Sequence, residues 1–176
     1  MRRTWISALG ALVAAAALAS TAGAGQVDRF TIHDPYDFTV DDFCDSPGLT
    51  VRIVGVIDID VHVVPHGPDG LEYFLQHGSQ TETLTANGTS LTSTANVTEK
   101  DMRVTELGDG SVEVLILATG NAVLYDEDGK AIARNPGQTR FVIVFDAAGN
   151  EVSREIVKGS TGRSDDFCDA AVPALS

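Results

Sequence analysis

The chain has little with which to build a reactive or a nucleic-acid-binding surface. Two cysteines, one tryptophan and two methionines stand among 176 residues, and 12 Lys+Arg face 25 Asp+Glu. A formal charge of −13 argues against a nucleic-acid partner, which needs a basic patch to meet phosphates. The longest apolar run, residues 5–19, is shorter than the roughly 20 residues of a helical membrane span, so no span is expected. Gly-x-Ser-x-Gly, His-Glu-x-x-His and Gly-x-x-x-x-Gly-Lys-Ser/Thr are all missing, so no hydrolase triad, zinc protease or nucleotide site is written in the sequence. No cofactor is expected. The chain after residue 24 holds no convincing 3.6-residue apolar period, which excludes a coiled coil and a helical bundle.

What is present begins with an address. Arg2 and Arg3 precede the uncharged Ala/Leu/Val-rich stretch, and Ala22-Gly23-Ala24 supplies the small residues that a signal peptidase inspects. Residues 1–24 therefore read as a signal peptide, and the protein as secreted. Arg2-Arg3-Thr4-Trp5-Ile6 loosely resembles a twin-arginine signal, so the export route stays open. Cleavage after Ala24 would leave 152 residues and, with both arginines gone, a charge of −15. Residues 25–35 read as a flexible segment and 36–176 as one domain.

Cys44 and Cys168 sit in matching surroundings, DDFCD at 41–45 and again at 165–169. In an oxidising compartment they are expected to form one disulfide tying the two ends of the domain. A loop of that length is worth about 5 kcal/mol on chain-entropy grounds. Two free thiols are the alternative, although flanking carboxylates work against reactive thiolates. Six Asp would gather around the bridge. That invites calcium, but neither copy has EF-hand spacing, and solvated acidic flanks are the simpler reading.

Between the cysteines the period is two. From Val51 to Val63 every odd position is apolar or Gly, while the even positions include Arg52, Asp58, Asp60 and His62. Further strands are expected at about 71–85, 89–105, 112–125, 130–145 and 151–158, with a shorter one at 36–43. Asn87-Gly88, Asp109-Gly110, Asp128-Gly129 and Gly149-Asn150 separate them as hairpin turns, and His66 to Gly70 ends the first long strand. The fold class is all-β: an antiparallel up-and-down meander closing into a barrel, which removes exposed edges, with a β-sandwich as the alternative. The tail from Gly159 reads as loop. Leu115, Leu117 and Val123 oppose Val114, Ile116 and Leu124, and Val142 and Val144 oppose Phe141, Ile143 and Phe145; apolar residues on both faces leave room for the terminal segments or for another subunit of a homo-oligomer.

VPHGPDG (64–70), LATGNAVLYDEDGKAIARNPGQTRF (117–141) and KGSTGRSDDFC (158–168) together resemble a group of small secreted actinobacterial proteins. The resemblance covers most of the domain and implies export and a β-rich fold, no more. In outline the meander is also similar to the barrels of lipocalins and of allene oxide cyclase or dirigent proteins, a likeness of fold that transfers no residues.

Several residues are candidates for chemistry. Asp58, Asp60 and His62 share one face of a strand, and His66 or His77 could join them at a metal; one strand alone does not supply zinc geometry, and solvent-face polarity is the competing reading. Tyr73, Leu75, His77, Ser79, Thr81 and Thr83 share a face that could line a lumen apolar at one end and polar at the other, suited to an amphiphilic ligand. His77 would then be a weak acid/base candidate. Thr119, Asn121, Arg134, Asn135 and Arg140 could line one mouth of the barrel, either Arg holding a ligand carboxylate or bridging to a structural Asp. Three functions follow: a binding barrel for a small, partly apolar molecule; a cyclase- or isomerase-type enzyme using the lumen; or a cell-envelope structural or interaction protein.

Overall fold

A computed structural model describes residues 28–66 and 71–176. The expected signal peptide, the turn at 67–70 and the side chain of His66 lie outside the described residues. Seven strands follow in order: β1 (Asp28–Val40), β2 (Val51–His66), β3 (Leu71–Ala86), β4 (Thr89–Glu106), β5 (Val112–Tyr125), β6 (Ala131–Phe145) and β7 (Glu151–Lys158). Each pairs antiparallel with the next in one meander sheet, and a helix, α1 (Phe167–Leu175), closes the chain. The strands from β2 onward match the period-two runs. β1, by contrast, starts at Asp28, so the segment read as flexible up to residue 35 is already strand. Phe30, Ile32, Tyr36 and Phe38 alternate along it and lie opposite Val61, Ile59, Gly55 and Ile53 of β2.

The turns follow their chemistry. Asn87 and Gly88 both have positive φ, the two-residue hairpin geometry that Asn-Gly favours. The next three hairpins share another pattern, in which Gly110, Gly129 and Gly149 take the left-handed position and donate back to Leu107, Asp126 and Asp146.

The sheet does not close into a barrel. β7 has eight residues and pairs with β6 only over Arg140–Phe145, with two register shifts that bend it away. The tail then takes over the rest of the β6 edge: Thr161 N donates to Gln138 O and Asp165 N to Arg134 O. Gly162 presses so close to Pro136 and Gly137 that there is no room for a Cβ. Closure needs a last strand of matched length and stagger, and this chain spends those residues on the crossing instead.

One face of the sheet is nonetheless buried. It carries the odd residues of β2, the even residues of β3, and their cross-strand partners through β6. Ile57, Ile59, Val61 and Val63 are buried with Ile32, Tyr36 and Phe74, and Val114, Ile116, Phe141 and Ile143 form a second cluster. Among the described residues α1 is packed on the sheet against β4 and β6, and these two clusters are buried by the sheet's own strands. A third cluster, with Val51, Leu84, Leu91 and Leu124, lies under α1, which contributes Ala171 and Leu175.

The tail is thus not loop throughout. The Asp166 side chain accepts from Cys168 N and Asp169 N, capping α1. Cys168 is bonded to Cys44, whose Cα lies 5.6 Å from its own, and Asn87 Nδ2 donates to Leu175 O. The helix is therefore fixed at both ends. The disulfide spans 124 positions and is consistent with an oxidising environment.

Gly55 shows how tightly the inner face is fitted. A Cβ there would lie 2.7 Å from Tyr36 Cζ and OH and from Thr81 O. Gly55→Ala is expected to cost roughly 1–3 kcal/mol by overpacking. An unchanged urea midpoint would contradict this.

Candidate functional site

The inner face is apolar at its ends and polar in its middle. There the Tyr36 ring lies across Gly55, and its hydroxyl donates to Glu82 Oε2 (2.8 Å) and accepts from Gln80 Nε2 (2.6 Å). Burial pushes the Tyr36 hydroxyl up to about 12, the Gln80 bond opposing the rise and Glu82 adding to it. This network is closed: each member answers another.

The neighbouring one is not closed. Gln76 on β3 faces Glu99 on β4 in register and donates Nε2 to Glu99 Oε2 at 2.6 Å. Two residues along, on the same face of β4, Asp101 Oδ2 accepts from Phe74 N at 2.9 Å. Gln76 is 7% exposed and Asp101 8%. Gln76 Oε1 is buried with no hydrogen-bond partner, and a buried acceptor left unpaired costs about 1–3 kcal/mol. Burial raises both carboxyls. Asp101 is pushed up to about 6, the Phe74 N–H opposing and Glu99 adding to the rise. Glu99 is raised as well, against the Gln76 bond and the Arg154 guanidinium. Arg154, on β7, lies over the Phe141 ring, 5.4 Å from its centroid, and is bonded to Glu151. Gln76, Glu99 and Asp101 thus form a strained polar site between two apolar clusters.

Its strain is measurable. A carboxyl with a folded pKa above its unfolded value loses stability as pH rises from about 4 to about 6, and the loss is complete above that. Asp101→Asn keeps an acceptor for Phe74 N and removes the charge. It is expected to gain roughly 1–3 kcal/mol at pH 7.5 and almost nothing at pH 4. Urea midpoints at the two pH values check this; an Asn variant weaker at pH 7.5 contradicts it.

The residues expected to line a lumen lie elsewhere. His77 is exposed on the outer face, its Nδ1 3.0 Å from Thr98 Oγ1, so it does not point inward and the lumen acid/base role is withdrawn. Thr81 and Thr83 are exposed on the same face, and Tyr73 OH accepts from Val104 N at 3.2 Å. Thr119 and Asn121 are exposed too, opposite Thr98 and Asn96 on that outer face. Arg134 and Arg140 are exposed and stand at opposite ends of the polar stretch of β6. The tail holds the Arg134 backbone, through Asp165 Oδ2 to Arg134 N at 2.9 Å. Of the proposed mouth, only Asn135 turns to the inner face, where its Oδ1 is buried without a partner. A shared mouth is therefore not formed.

The metal candidates separate as well. Asp58 is engaged by His33 Nδ1 at 2.6 Å and Asp60 by Thr31 Oγ1 at 3.0 Å. Among the described residues no group of three His, Cys, Asp or Glu could hold a metal. Asp side chains of the two DDFCD copies are engaged by local backbone and side-chain donors. Asp42 accepts from Gly48 N, Asp41 from Thr50 Oγ1, Asp165 from Arg163 Nε, and Asp166 caps α1.

Comparison with family models, curated proteins and solved structures finds no match. The site therefore rests on its own chemistry. Gln76, Glu99 and Asp101 are masked in the sequence because Tyr73 and Leu75 suggest the odd positions of β3 as its inner face. The two-residue Asn87-Gly88 turn carried the corrective signal. It sets Leu84 opposite Leu91 and thereby marks the even positions of β3 as inward.

Proposed function

We propose that the chain is an exported binding module for a small, partly apolar molecule, held along the inner face of the sheet. The unpartnered oxygen of Gln76, buried between two apolar clusters, carries this reading. A site that leaves an acceptor unpaired and holds two carboxyls at a cost in stability is what a missing hydrogen-bond donor would relieve. The apolar clusters on either side suit the body of an amphiphile. The open side of the sheet, with Phe30 and Phe38 partly exposed on β1 and Ile156 on β7, replaces the closed lumen as the way in. The signal-like leader, the disulfide and the resemblance to secreted actinobacterial proteins support export.

Native mass spectrometry of the oxidised chain with octylamine, octanol and octanoate tests the reading. At least one is expected to give a one-to-one adduct that Gln76→Leu loses and Leu75→Ala, on the outer face, retains. No adduct with any of the three would contradict it.

A second reading, an envelope-associated interaction protein, draws on Val152, Ile156 and Val157, which leave the edge strand β7 apolar and exposed. A homo-oligomer through that edge belongs to this reading.

A further inference from the structure

We infer that the head group this site takes is a primary ammonium, an inference that rests on the binding reading above. Register brings acceptors from three residues onto one stretch of the inner face: Gln76 Oε1 has no partner, Gln76 stands opposite Glu99, Asp101 lies two residues along with Glu99 close enough to act on it, and the hydrogen bonds of Glu99 and Asp101 use one oxygen each. An ammonium carries three N–H donors and no acceptor. It answers all three with charge-assisted bonds, roughly twice as strong as neutral ones. A hydroxyl brings one donor. A carboxylate brings none and meets two like charges.

The charges around the site agree. Glu99 and Asp101 face it from β4, Gln76 and the Phe74 N–H from β3, and Ile116 lies opposite Asp101 on β5. Among the described residues the cation that acts on Glu99 is Arg154 on β7, already committed to Glu151 and the Phe141 ring. A divalent metal fits worse. It would find two carboxylates and one amide oxygen, where calcium wants about six to eight oxygens.

The ammonium stays charged up to about pH 10, whereas both carboxyls take up protons as the solution is acidified. Binding should therefore weaken below neutral pH.

Isothermal titration of octylamine, octanol and octanoate into the oxidised chain separates the two claims. At pH 7.5 octylamine is expected to bind about tenfold or more tightly than either other probe. Its affinity should fall at pH 4.5, and Asp101→Asn with Glu99→Gln should remove its advantage over octanol. Both substitutions remove a carboxyl whose charge is penalised by burial, so the double variant is expected to be at least as stable at pH 7.5, and its urea midpoint separates a loss of binding from a loss of fold. Octanol or octanoate binding as tightly as octylamine would overturn the ammonium assignment and leave the binding reading standing. Failure of all three to bind would overturn both.

Discussion

Replacing Cys44 and Cys168 by serine is expected to cost about 3–5 kcal/mol and to lower the melting temperature by roughly 10 °C or more. The bridge spans 124 positions and so removes much of the freedom of the unfolded chain. It also holds α1 in place. A nine-residue helix has little stability of its own and depends on its cap and its docking. With the bridge open, Ala171 and Leu175 must stay buried in the cluster of Leu84, Leu91 and Leu124 by packing, the Asp166 cap and the Asn87–Leu175 hydrogen bond. Melting curves with and without reductant measure the effect. Coincident curves would show that the bridge contributes nothing.

Leu84→Ala and Leu75→Ala should differ sharply, although the two leucines share one strand. Leu84 is 1% exposed, in the cluster under α1, whereas Leu75 is 41% exposed on the outer face. The first substitution removes buried methyl groups and leaves a cavity that a sheet and a stapled helix cannot readily collapse. About 2–5 kcal/mol is expected for it. The second should stay within roughly 1 kcal/mol. Equal costs, or the reverse order, would mean that the inner face of β3 has been assigned to the wrong parity.

Parity is also where legibility in the sequence divides. Strand positions were readable because Val51 to Val63 and the later runs alternate, and because Asn-Gly and Asp-Gly fix turns locally. The pairing of Cys44 with Cys168 was readable from the repeated DDFCD. Closure was not, because it depends on how the tail crosses β6 at Gly162, a contact between distant segments. Nor was α1, a short helix containing Pro173 and held by a cap and a bridge rather than by an apolar period. The candidate site was hidden for a related reason. Gln76, Glu99 and Asp101 are ordinary strand residues until register places them together on the buried face.

The binding account is tested most directly by an NMR titration of octylamine into the isotope-labelled, oxidised chain at pH 7.5. The account predicts that the Gln76 side-chain amide and the Glu99 and Asp101 carboxyl signals move together to saturation, while the His77 imidazole stays in place. Movement confined to His77 and the outer-face threonines, or no movement at all, would contradict it.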